Sequence, residues 1–289
     1  MSIAEHLATG GTTVCRCWAV RRRDGKVLGF TDHDRNLAFD GVDFRADTGM
    51  TARAFEQSTG MSVDNSEALG ALSDDAIRAQ DVEAGRFDAA TITMWIVNWQ
   101  NPDERAVRFA GTIGEIVSSG ESFRAELRGL TETLNQPQGL LYQRTCSAVL
   151  GDHRCQVDLA GPAYRCDIAV DQVSGGKTFT FASFPPFQGG WFAGGVLTVL
   201  NGEGNGLAAH IKVDRTTGAG RRIVLWEALR AAVVTGTGLR LTAGCDKRAE
   251  TCRAKFGNFL NFRGFPSIPG EDWLISYPTD RVPNDGGKL

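Results

Sequence analysis

Four cysteines in the second half of the chain carry the strongest chemical signal in the sequence. Cys146 and Cys155 enclose eight residues, Cys245 and Cys252 enclose six, and about ninety residues separate the two pairs. Two close pairs brought together from distant stretches supply the four thiolates that either a zinc ion or an iron–sulfur cluster takes. Spacing alone leaves three readings open: a metal site, reduced structural thiols, or disulfides. Spacers of eight and six are wider than a zinc knuckle's and match none of the common ferredoxin runs. A wide spacer suits a cluster better than one ion. Arg154, Lys247, Arg248 and Arg253 flank these thiols and could stabilise thiolates or a net-negative cluster. Seven cysteines are an odd number, so they cannot all pair internally. Cys166 and His153 are the alternative ligands. Cys15 and Cys17, at i and i+2 of an expected strand, share one face and read as small core residues.

Other reactive constellations are weaker. Asp32-His33-Asp34-Arg35 could in principle bind a cation or host a general base. Alternation on a strand would let only Asp32 and Asp34 converge, and the favoured reading is a polar strand end whose carboxylates cap backbone amides. No nucleophile elbow, Walker loop or His-Glu-x-x-His stretch occurs. Gly202 to Gly206 lie between expected strands with no helix following, so no phosphate cradle forms there. Cys155 and His153 are close in sequence, but no oxyanion element accompanies them.

The elements that must position the thiols are mostly strands. The chain has 289 residues, 42% of them hydrophobic and 22% charged, with 35 glycines in no repeating pattern. That is enough chain for two medium domains with real cores. A net charge of −3 with mixed signs argues against a surface built to neutralise phosphates. No apolar run is long enough to span a membrane, and the N-terminus has no secretory signature, so reduced cytoplasmic thiols are expected. Residues 2–9 read as a short helix capped by Ser2, and 72–86 as a helix capped by Ser73 and ended by Gly85. Alternating β-formers predict strands over 11–21, 26–31, 89–99, 105–118 and 122–130. Further strands are expected over 164–170, 177–182, 191–199, 208–214, 221–226 and 238–242. A short helix over 247–257 carries Cys252. The fold class is mainly β, barrel or sandwich domains with a few short helices. The expected boundary gives an N-terminal β-rich domain over 1–140 and a second β domain, bearing the cysteines, over 141–289.

Leu28 to Arg35, Ala84 to Asp88, the phrase from Cys146 to Cys155, and Asn261 to Asp272 resemble the phage tail-assembly family of prophages and gene transfer agents. The likeness runs over nearly the whole chain, and the Cys146–Cys155 phrase is its most specific part. The second half also resembles the tail-tip protein L of lambda-type siphophages, which carries an iron–sulfur cluster on cysteine pairs with the same spacers. The resemblance implies a 4Fe–4S cluster on Cys146, Cys155, Cys245 and Cys252, with zinc as the alternative. It implies a structural baseplate hub rather than an enzyme: a homotrimeric ring of β-barrel domains around the tail lumen. That ring would join the distal tail protein to the central fibre or spike protein and contact other baseplate subunits, with DNA passing only in transit. Assembly in the bacterial cytoplasm and residence in the tail baseplate of the particle follow. Two other classes compete with this reading, a metal-dependent or redox enzyme and a tail-associated cell-wall hydrolase.

Overall fold

The computed structural model describes residues 2–46, 51–52, 65–71, 77–119, 122–129, 139–218 and 220–268. The chain is mainly β, as the patterning predicts. It divides into two compact units, Met1–Pro137 and Gln138–Leu289. No helix among the described residues is long and apolar enough to cross a membrane.

In the first unit a helix, α1 (Ile3–Ala8), precedes β1 (Val14–Arg21), β2 (Val27–Thr31), β3 (Leu37–Phe39) and β4 (Val42–Arg45). Then come β5 (Thr51–Ala52), β6 (Asn65–Ala71), α2 (Ala79–Glu83), β7 (Thr91–Asn98), β8 (Arg105–Ser119) and β9 (Ser122–Gly129). Ser2 starts α1 with a capping box: its hydroxyl accepts the Glu5 N–H while its own N–H donates to the Glu5 carboxylate. Asp40 and Gly41, both at positive φ, make the two-residue turn of the β3–β4 hairpin. One nine-stranded sheet results, in the order β3-β4-β2-β1-β7-β8-β9-β6-β5.

Burial on both faces of β1 explains its composition. Trp18 and Val20 enter a core with Phe30, Ile92, Met94 and Leu127, whereas Cys15, Cys17 and Ala19 face Phe39, Phe44 and Val97. The two cysteines are core residues, as their strand spacing predicts. The Cys15 sulfur and then burial push the Cys17 thiol up. The helix predicted over 72–86 is shorter, Ala79–Glu83. Arg78 holds its N-cap position without a side-chain cap bond, and Ser73, the expected cap, lies outside the described residues. Asp32 follows the end of β2 and accepts the Arg16 N–H at 2.6 Å, a carboxylate capping a strand end. His33 accepts from the Arg35 N–H and packs on Trp99.

The second unit comprises β10 (Arg165–Ala169), β11 (Gln172–Ser174), β12 (Thr178–Phe181), β13 (Val196–Val199), β14 (Ala208–Thr217), β15 (Gly220–Leu225), β16 (Gly238–Thr242), helix α3 (Ala249–Phe256) and a 3-10 turn, Phe259–Asn261. Its seven-stranded sheet runs β10-β16-β13-β14-β15-β12-β11. β14 pairs with β13 up to His210 and with β15 from Ile211 on, with a bulge in the second pairing between Ile211 and Val213. A bulge increases local twist and bends a strand, so β14 curls the sheet around one core. Phe179, Phe181, Phe192, Leu197, Ile211, Ile223, Leu225, Leu239 and Leu241 fill it. The strand predicted over 191–199 begins only at Val196, because Trp191 to Gly195 turn, with Gly194 at φ +73.

One buried ion pair holds that turn. Arg221 binds both oxygens of Asp214 and also donates to the carbonyls of Phe187 (2.8 Å) and Gln188 (2.6 Å). Asp214 accepts the Phe192 N–H at 2.8 Å. With side chains 3% and 0% exposed, the pair survives burial because its remaining donors and acceptors are satisfied.

Candidate metal centre

The described chain brings Cys146, Cys155, Cys245 and Cys252 together in the lining of one pocket. Ala148, Leu150, Val157, Phe256 and Phe262 give it apolar walls; Lys247 and Arg248 supply charge. All four cysteines are free thiols. Each is delivered by a different device.

Cys146 sits on an extended segment laid against the chain after the 3-10 turn. The Phe265 N–H donates to Gln143, and the Ser147 N–H to Arg263. A β-carbon on Gly264 would fall 2.6 Å from the Thr145 carbonyl, so only glycine permits this approach. The Cys146 N–H donates to Lys247, which ties the first cysteine to the second pair.

Asp152 shapes the loop that carries Cys155. Its carboxylate accepts the N–H groups of Val149 (2.9 Å), Arg154 (2.9 Å) and Cys155 (2.6 Å). Desolvation works against this charge, but the three bonds together outweigh it and hold the carboxyl below its usual value. Asn258, just past α3, closes on the Cys155 carbonyl at 2.5 Å.

Cys245 follows β16 through Gly244. A β-carbon there would lie 1.8 Å from the Ala193 carbonyl, and one on Gly195 would lie 2.0 Å from the Thr242 carbonyl. Backbone meets backbone, so glycine is required at both. Cys252 is buried on α3, whose C-terminus is capped by Gly257 in the left-handed conformation.

The environment suits an anionic sulfur-bound group. Three N–H donors reach sulfur: Arg263 to Cys146 (3.3 Å), Lys247 to Cys245 (3.4 Å) and the Asn258 amide to Cys155 (3.7 Å). Burial pushes the Cys245 thiol up, and the Cys252 thiol up as well, with the sulfurs of Cys245, Cys146 and Cys155 adding to the latter. Thiolates crowded this way repel each other, and a cationic metal core relieves that repulsion. The donor set therefore fits a thiolate-bound metal centre, an iron–sulfur cluster or a zinc ion. Among the described residues no group of three or more His, Cys, Asp or Glu is already arranged to hold a metal ion.

The alternative ligands fall elsewhere. Cys166 is buried in the second core on β10, and burial raises its thiol. His153 is exposed and outside the pocket lining. Of the four flanking cations, Lys247 and Arg248 line the pocket. Arg154 instead binds the Ser147 hydroxyl, and Arg253 covers the Phe259 ring. Sequence reading missed Lys255, Asp152 and Asn258. Asp152 had a visible signal, an Asp three residues before a cysteine in a Gly-containing loop; the partners of the other two are carbonyls and sulfur far along the chain.

The family described as the baseplate hub protein N-terminal attachment domain matches residues 1–158. A second family, described as phage conserved hypothetical protein BR0599, matches residues 190–272. The first match spans more than half of the chain, and the protein belongs to the baseplate hub family. Among solved structures it is similar to a chain of one described as the virion of a native gene transfer agent (GTA) particle. Identity is 50% and the TM-score 0.87, with 100% of this chain and 99% of that chain covered. No curated protein matches. The resemblance read from Leu28–Arg35 and the Cys146–Cys155 phrase is borne out at the level of the family. Each cysteine pair falls in a different matched region, so the pocket is built where the two regions meet.

Proposed function

We propose that the protein is the structural baseplate hub of a gene transfer agent or phage-like tail. In this reading three copies form a ring around the tail lumen and join the distal tail protein to the central fibre or spike protein. The observation that carries the reading is the 50% identity, over the full length, to a chain of a gene transfer agent virion. The mixed surface charge and net charge of −3 suit a lumen that DNA traverses without sticking. The chain is assembled in the bacterial cytoplasm, resides in the baseplate of the particle, and acts by assembly rather than catalysis.

The four-cysteine pocket holds a 4Fe–4S cluster in this account. When bound, the cluster supplies a covalent cross-link among four chain segments. One observation supports a cluster. The backbone N–H donors and the two cations at the wall are groups that stabilise cluster sulfurs. The protein's own residues preorganise the site: Asp152 shapes one loop, Gly244 and Gly195 seat another, and Lys247 links the two pairs.

The test is to delete the coding sequence from a producing bacterium and image the particles. The expected result is tails without an assembled baseplate, restored by the wild-type chain. Normal particles lacking this chain would overturn the hub reading. In solution the purified chain is expected to have the mass of a trimer by light scattering.

A further inference from the structure

Lys255 lies three residues beyond Cys252 on α3. Its Nζ donates to the carbonyls of Gly244 (2.7 Å) and Trp191 (2.5 Å). The Gly244 carbonyl belongs to the peptide that leads into Cys245. The ammonium also stands 4.5 Å from the Trp191 ring centroid and 5.2 Å from that of Phe256. Among the described residues no carboxylate oxygen comes within ion-pair distance of it. A half-buried ammonium held by carbonyls and rings retains only part of its hydration. Desolvation accordingly pulls it below the ordinary lysine value, and the negative groups opposing this are Cys245 first, then Asp246 and Asp214.

A lysine used only to bridge two carbonyls has no need of an anion nearby. This one sits just behind the pocket lining: it bonds the Gly244 carbonyl next to Cys245 and stands over Phe256, which lines the pocket with Lys247 and Arg248. We propose that Lys255 is the fixed counter-charge of the thiolate-bound centre, a positioning residue that favours loading of the cluster and raises its reduction potential. The proposal rests on the cluster reading above. A centre ligated by four thiolates is net anionic, and each electron it accepts adds negative charge. A cation held nearby in a low-dielectric wall stabilises the reduced form more than the oxidised one.

The experiment uses the full chain, reconstituted without oxygen from equal amounts of ferrous and ferric iron and sulfide. Iron and sulfide per chain are measured, and the midpoint is read from the visible spectrum during titration with dithionite, which donates one electron per cluster. Lys255→Met removes the charge and keeps most of the side-chain length; Lys255→Arg keeps the charge. The expected result is a more negative midpoint for K255M and a midpoint near wild type for K255R. Equal midpoints for K255M and wild type overturn the proposal. If K255M takes up no iron, K255Q, which keeps a donor for the Gly244 carbonyl, replaces it in the titration. Loss of loading in both neutral variants but not in K255R supports the counter-charge, whereas loss in all three overturns it in favour of a purely geometric role. A wild-type chain that takes up no iron and sulfide removes the cluster reading itself, a failure no Lys255 variant can imitate.

Discussion

Asp214 and Arg221 show what a buried charge demands. Every polar atom of the pair has a partner, so truncating one side leaves the other uncompensated in the core. Asp214→Ala is expected to destabilise the chain by about 3–5 kcal/mol, read from the urea midpoint, and to release the Trp191 turn. A more exposed network surrounds Arg22, which binds Asp24 and Asp81. The Arg22 guanidinium first of all holds the Asp24 carboxyl below its usual range. A carboxyl lowered on folding adds stability above its unfolded pKa and loses that contribution as the pH falls through the folded value. Asp24→Asn should therefore cost roughly 1 kcal/mol at pH 7, after solvent screening of a pair whose carboxylate is partly exposed. The deficit should shrink when the melts are repeated towards pH 3. A deficit that is constant with pH would assign the effect to packing instead of charge.

At the level of elements, the second unit depends on close backbone approaches that a side chain would block. Gly244→Ala sets a β-carbon against the Ala193 carbonyl, where no side chain can move aside. The expected outcome is a folded protein, shown by far-ultraviolet circular dichroism, that binds less than half of the wild-type iron. Full iron content would show that the approach does not seat Cys245. Much of this architecture was legible from sequence. The strands over 105–119, 122–129 and 238–242 follow from alternation and turn residues, and the short helix bearing Cys252 follows from its Gly257 stop. The strand at 191–199 was read too long because its apolar residues look continuous, while Gly194 and Gly195 turn the chain to reach Gly244. Strand Gln172–Ser174 escaped notice because three residues carry no period. The convergence of the cysteine pairs was open to inference from chemistry alone. Lys255 was not, because its partners are main-chain carbonyls contributed by positions 191 and 244.

For the whole molecule, membership of the baseplate hub family and likeness to a gene transfer agent virion chain agree with a structural rather than a catalytic reading of the four-cysteine pocket. Apolar walls, N–H donors to sulfur and glycine-enforced geometry suit a site that would hold a group in place rather than turn one over. On the proposed account the cluster staples the segment before Cys146 and the segment after α3 onto the curled sheet. Cys245→Ser and Cys252→Ser are each expected to lower the titre of DNA-transferring particles by at least tenfold. Normal titres from both variants would show that the cluster is dispensable for assembly and delivery. The most direct measurement is the iron, zinc and acid-labile sulfide content of the full chain purified without oxygen. The account predicts about four irons and four sulfides per chain, lost together in the Cys245→Ser variant. One zinc per chain with no sulfide, or no metal at all, would contradict it.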